Sequence, residues 1–232
     1  MPPTLPLPLP LPLPRAVVFD AYGTLFDVHA AVQQHAARLG PQAQAMSDLW
    51  RAKQLEYSWT RSLMGHYRDF WSLTLEALDH ALARFGITDA ALRDDLASAY
   101  HDLSAFPEVP AMLAALRGRG LKTAILSNGS PEMLAGAVTS AGLAALFDAV
   151  ISVHPLGTFK PPHAAYEPVG AALGVATGDV LFVSSNRWDI AGATAFGFAS
   201  VWCNRAGLPD EYDDLQPVAV LRDLATLPGL ID

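Results

Sequence analysis

The chain has 232 residues, 51% of them hydrophobic and 16% charged, which is enough apolar material for one large core and excludes a mainly disordered protein. A net charge of −8 argues against a nucleic-acid binder, which needs a basic face to displace phosphate counterions. A single cysteine, Cys203, excludes an intrachain disulfide framework and fits a reducing, cytoplasmic setting; no Cys/His cluster has zinc spacing.

Residues 1–14 read MPPTLPLPLPLPLP and hold seven of the 18 prolines. Each proline lacks a backbone donor and fixes φ, so this tract forms neither a helix nor a central strand, and it is expected to sample polyproline II as a poorly ordered tail. It is expected to be neither a membrane span nor a signal peptide of the usual kind, because it cannot be helical and carries no leading cation. The run Ala16, Val17, Val18, Phe19 then closes on Asp20 and a Gly-containing loop, the pattern of a buried parallel strand with a polar tip. Residues 28–105 contain no strand signal and read as an inserted set of about four helices, rich in Ala, Leu, Arg and Trp.

From residue 109 strands and helices alternate. Helices are expected at 109–119, 131–141, 164–173 and 189–196, and strands at 121–126, 149–153, 180–183 and 199–203. Ser130 and Pro131 make an N-cap and first-turn pair for the second of these helices, and the Gly118-Arg119-Gly120 stretch is a helix stop. The alternation predicts an α/β fold, a Rossmann-like doubly wound parallel sheet, with residues 15–27 and 106–232 forming the core and 28–105 a helical cap over the strand tips. Such sheets bind ligands beyond the carboxyl ends of their strands. Asp20, Ser127 and Asn128, Lys160, and Ser184, Ser185, Asn186 and Asp189 all fall at or near those ends. A lysine and a second carboxylate beside Asp20 make it a candidate nucleophile, and the glycine-containing loops offer backbone N–H groups to an anion. Cys203 reads as a buried apolar residue, and the seven histidines show no ligand spacing.

Four segments carry a resemblance: DAYGTLFDV at 20–28, LSNGSP at 126–131, the lysine of FKP at Lys160, and FVSSNRWD at 182–189. They resemble, in order, the four motifs of the haloacid dehalogenase superfamily, and WRAKQLEYSWTRSLMGHYRDFW at 50–71 is similar to the cap of its L-2-haloacid dehalogenases. The resemblance implies a Rossmann-like core, a helical cap, usually a homodimer, and cleavage of (S)-2-haloacids to (R)-2-hydroxyacids without cofactor or metal. It makes Asp20 the nucleophile, Thr24 its orienting partner, and Arg51 and Asn128 the halide acceptors. Ser127 then binds the substrate carboxylate, Lys160 and Tyr166 balance charge, and Ser184, Asn186 and Asp189 position the water. Ala21, Tyr22, Leu55, Phe70 and Trp188 line the substrate pocket with Arg51, Ser127 and Asn128.

Phosphatases of the superfamily carry an Asp at the position of Tyr22. An alkoxide leaving group must be protonated, whereas a halide leaves as a weak base and needs only anion stabilisation, so Tyr22 favours carbon–halogen cleavage. A small-molecule phosphatase, a hydrolase of another carbon electrophile, or a non-catalytic binding protein on the same fold are the alternatives. Arg187 is expected to add a cation beside Asn186, and the loop 153–159, VHPLGTF, matches no pattern of the family.

Overall fold

The computed structural model describes residues 13–231, so all but the last two residues of the Leu-Pro tract lie outside the described residues. Strand β1, Ala16–Phe19, is wholly buried, as four consecutive apolar residues require of a strand covered on both faces. The chain then leaves the sheet through helices α1 (Ala30–Gln34), α2 (Ala36–Leu39), α3 (Ala43–Met64), α4 (Phe70–Arg84) and α5 (Ala90–His101). Local chemistry sets several of their ends: Gly65 ends α3 at φ +67°, and the Asp69 and Asp89 carboxylates accept from the Ser72 and Leu92 N–H groups to cap α4 and α5. The excursion closes where it opened, since Phe26 bridges Ala105 and the Phe106 N–H donates to the Leu25 carbonyl at 2.9 Å.

The core then runs α6 (Val109–Gly118), β2 (Lys122–Ser127), α7 (Pro131–Ser140), β3 (Ala149–Ser152), α8 (Pro168–Leu173), β4 (Val180–Ser184), α9 (Arg187–Phe196), β5 (Ala199–Cys203) and β6 (Ala219–Leu221). All the strand pairs are parallel, in the order β3-β2-β1-β4-β5-β6. The chain winds one way from β1 to β3 and the other way from β4 to β6. The order therefore reverses between β1 and β4, and the crevice at their carboxyl ends is the topological switch point. Asp20 and Ser184 stand on its two lips.

Two expectations need correction. The helix expected at 164–173 is a short turn, His163–Ala165, followed by α8, because Pro168 lacks the N–H a continuous helix requires. Strand β6 escaped the sequence reading: it is three residues long, partly exposed and at the edge, so it has no continuous apolar run. The cap on α7 forms as expected, with Ser130 Oγ accepting from the Met133 N–H at 3.3 Å.

Candidate active site

The loop after β1 turns tightly over Ala21, whose carbonyl accepts from the N–H groups of Thr24, Leu25 and Phe26. Gly23 takes φ +91°, a conformation open to glycine, and a Cβ there would stand 3.3 Å from Ser185 Oγ. This turn aims the Asp20 carboxylate over the sheet, where it is 5% exposed. Its Oδ2 accepts from Thr24 Oγ1 at 3.1 Å and Asn186 Nδ2 at 2.9 Å, with Ser184 Oγ at 3.5 Å. Its Oδ1 accepts from Lys160 Nζ at 2.9 Å.

Lys160 is completely buried and holds three acceptors: Asp20, Asp189 Oδ2 at 2.6 Å, and the Leu126 carbonyl at 3.1 Å. Its backbone N–H donates to Asn128 Oδ1 at 2.9 Å, which ties the Lys160 loop to the tip of β2. Asp189 also accepts from Tyr166 Oη at 2.8 Å. Two carboxylates thus share one ammonium. Burial pushes the Asp189 carboxyl up to about 6 against the pull of Lys160, as expected for the more enclosed member of a cluster with net charge −1. Burial disfavours the Lys160 ammonium, but Asp189 and Asp20 outweigh it, and the lysine stands above its ordinary value. Burial also raises the Tyr22 phenol, so Tyr22 is a neutral hydroxyl.

Over Asp20 lies a small chamber of about 10 Å³, room for roughly one water. Tyr22, Ser127, Asn128, Asn186 and Trp188 enclose it from the core, and Arg51, Leu55 and Phe70 from α3 and α4. Arg51 donates to Gln54 Oε1 at 2.7 Å, the Tyr22 carbonyl at 3.2 Å and Asn186 Oδ1 at 3.5 Å. The sequence-predicted side chains therefore converge, either on the chamber wall (Tyr22, Arg51, Leu55, Phe70, Ser127, Asn128, Asn186, Trp188) or bonded behind it (Thr24, Lys160, Tyr166, Ser184, Asp189).

Two placements differ from the sequence reading. Ala21 is absent from the chamber wall, because its carbonyl closes the turn and its methyl is buried. Arg187 points away from Asn186: its Nε lies 2.6 Å from Asp210 Oδ1 and it donates to the Tyr212 carbonyl, anchoring the loop after β5. The loop 153–159 lies behind the chamber wall, with His154 Nδ1 and Tyr67 Oη 2.8 Å apart and the Phe159 ring 5.7 Å from that of Phe70. Sequence reasoning missed Gln54, buried one turn beyond Arg51, which holds Arg51 and bonds Thr74 and Tyr100. Its i, i+3 spacing from Arg51 was the available signal. It placed Ser185 at the strand tip without a role, where its N–H donates to Thr24 Oγ1 at 2.8 Å, and it missed Tyr100, whose ring stacks on Tyr22 at 5.8 Å.

Among the described residues no helix is long and apolar enough to cross a membrane. A family model described as haloacid dehalogenase-like hydrolase matches residues 14–197. The chain is 50% identical to (S)-2-haloacid dehalogenase 1 of Pseudomonas sp. (strain CBS-3), over 94% of this chain and 96% of that protein. It is 49% identical to (S)-2-haloacid dehalogenase 4A of Burkholderia cepacia, over 86% and 87%. A solved structure of the L-2-haloacid dehalogenase from Xanthobacter autotrophicus, with chloropropionic acid covalently bound, superposes with a TM-score of 0.85 at 41% identity, covering 94% of this chain and 98% of that one. The four motifs, the switch-point crevice they occupy and these similarities agree: the chain belongs to the haloacid dehalogenase-like hydrolases and, within them, to the (S)-2-haloacid dehalogenases.

Proposed function

We propose that this enzyme hydrolyses (S)-2-haloacids to (R)-2-hydroxyacids and halide through an ester on Asp20. The observation that carries the reading is the unequal restraint of the Asp20 carboxylate. Oδ2 is held by Thr24 and Asn186, while Oδ1 bonds Lys160 alone and keeps a lone pair for attack on C2. The adduct in the Xanthobacter autotrophicus structure supports a covalent route. Arg51 and Asn128 receive the halide, which gains full charge only as the bond breaks. Ser127 takes the substrate carboxylate, and Tyr22, Leu55, Phe70 and Trp188 surround the carbon chain. Ser184, Asn186, Lys160 and Asp189 then place water on the ester carbonyl. The helices between β1 and β2 act as a cap that excludes bulk water from this chamber.

No metal or cofactor enters this scheme. The Lys160 ammonium occupies the space between Asp20 and Asp189 that a bridging divalent ion would take. The test is halide release from chloro-, bromo- and fluoroacetate and from both 2-chloropropionate enantiomers, with and without exhaustive chelation. We expect release from the S enantiomer, undiminished by chelation. Activity restored by Mg²⁺, or equal turnover of the R enantiomer, overturns the scheme.

Asp189 gives the reaction a pH limb. Below about 6 its carboxyl is protonated and no longer shares the Lys160 charge; above that it is ionised. The kcat/KM therefore rises with pH through about 6. A kcat/KM that is flat from pH 5 to 8 removes Asp189 from this role.

The same reading makes the protein a cytoplasmic homodimer. Leu63 and Met64, 88% and 61% exposed at the end of α3, support an apolar contact between copies, and a composition with a single cysteine fits a reducing compartment. Light scattering that returns a monomer mass refutes the dimer.

A further inference from the structure

A second cavity, of about 400 Å³, opens beside the chamber, between the first helices of the excursion and the loops after β4 and β5. Arg51 and Asn186 line both spaces, so they form the partition between them. Their mutual contact is 3.5 Å, at the limit of hydrogen bonding. Arg51 forms no ion pair with a carboxylate among the described residues; its closer acceptors, the Gln54 side chain and the Tyr22 carbonyl, are neutral. Swinging it aside breaks modest hydrogen bonds and leaves no buried anion alone.

The second cavity suits an anion. Arg205 and Asn204 stand on its wall with His29, and the Arg205 Nε is a buried donor with no hydrogen-bond partner. Arg205 is also paired with Glu108 at 2.6 Å, donates to the Thr24 carbonyl at 3.0 Å and lies 3.7 Å over the Phe106 ring, so it offers an anion its Nε, and Arg51 is the wall's cation without a carboxylate partner among the described residues. The one carboxylate on the wall, Asp27, already accepts from the His29 N–H at 2.9 Å. The chamber's other neighbour, a groove of about 480 Å³ behind Trp188, is walled by Trp59, Leu63, Phe159 and prolines. Its single charged wall residue, Lys160, is already bound to two carboxylates. An anion entering that groove would lose its water and find no free cation.

We propose that the polar cavity is a second, halide-binding site, an antechamber that takes the ion after carbon–halogen cleavage, and that Arg51 carries the halide across the partition. The halide that leaves C2 rests at Arg51, and the polar space on the far side of Arg51 lets it move off the ester while the hydrolytic water takes its place. The proposal rests on the dehalogenase reading above.

Filling the cavity tests it. Ala206→Trp fills it from the core side and Gln44→Trp from the helical side; neither residue lines the chamber. Two rates are measured with saturating (S)-2-bromopropionate: ester formation on Asp20 in the first turnover, by quenched-flow mass spectrometry, and bromide release at steady state. Thermal melts establish which variants are folded, and two opposed positions guard against the loss of one. In a folded variant we expect first-turnover ester formation within about twofold of the parent and steady-state release slower by roughly tenfold or more, as when product escape limits kcat. Steady-state release equal to the parent's in the folded variants, or ester formation slowed as much as release, overturns the antechamber. Failure of the dehalogenase reading is distinct: the parent enzyme itself then releases no bromide.

Discussion

In a single turnover in H₂¹⁸O, heavy oxygen is expected in the carboxylate of Asp20 and not in the hydroxyl of the product. Attack by Oδ1 replaces the halogen with an ester and inverts C2 once. Water then attacks the ester carbonyl, so the product keeps an oxygen that came from Asp20 and the label stays on the protein. The geometry favours this order. Thr24 and Asn186 fix one carboxylate oxygen, and Lys160 balances the charge without occupying both lone pairs of the other. Mass spectrometry of the peptide that contains Asp20 reads the result. Label in the first-turnover product with an unlabelled Asp20 means that water attacks carbon directly and Asp20 is a general base. Asp20→Asn is expected to reduce turnover by roughly 10⁴- to 10⁶-fold, the scale of removing an enzyme nucleophile. It does so under either mechanism, so the isotope decides.

Arg51→Ala is expected to lower kcat on the order of 10²-fold or more, with little change in KM. The leaving halide gains its charge only as the bond breaks, so a cation aimed at it stabilises the transition state more than the bound substrate. The surroundings of Arg51 make this variant clean to interpret. Its partners are the neutral oxygens of Gln54, Tyr22 and Asn186, and no buried carboxylate loses a counterion when it goes. The thermal midpoint is accordingly expected to move little. Lys160 contrasts with it, because truncating Lys160 leaves two buried carboxylates facing each other. A raised KM with unchanged kcat in Arg51→Ala makes Arg51 a ligand of the substrate carboxylate instead.

Much of the site was legible before the fold because buried parallel strands advertise themselves. Ala16 to Phe19 and Val180 to Val183 are apolar runs that end in polar residues, and polar residues at such ends stand at the mouth of the sheet. Tyr22 in place of an acid separated halide departure from alkoxide departure on chemistry alone. The Ser130 cap was legible too, since a Ser-Pro pair can serve a helix start in few other ways.

What the tertiary structure alone decided is where long side chains end. Arg51 and Arg187 are both arginines near helix starts or faces, and nothing local distinguishes them. Tertiary placement sends one over Asp20 and the other to Asp210. Gln54 became a partner of Arg51 because the folded helices exclude water from its amide, and a buried amide must find acceptors and donors. The near absence of free volume around Asp20, and the polar cavity across Arg51, arise from the packing of the helices between β1 and β2 on loops far along the chain, as in the 135-residue separation of Arg51 and Asn186. Sequence period and composition specify which face of an element is apolar. They do not specify which distant face it meets, because that is set by the joint packing of all the elements at once.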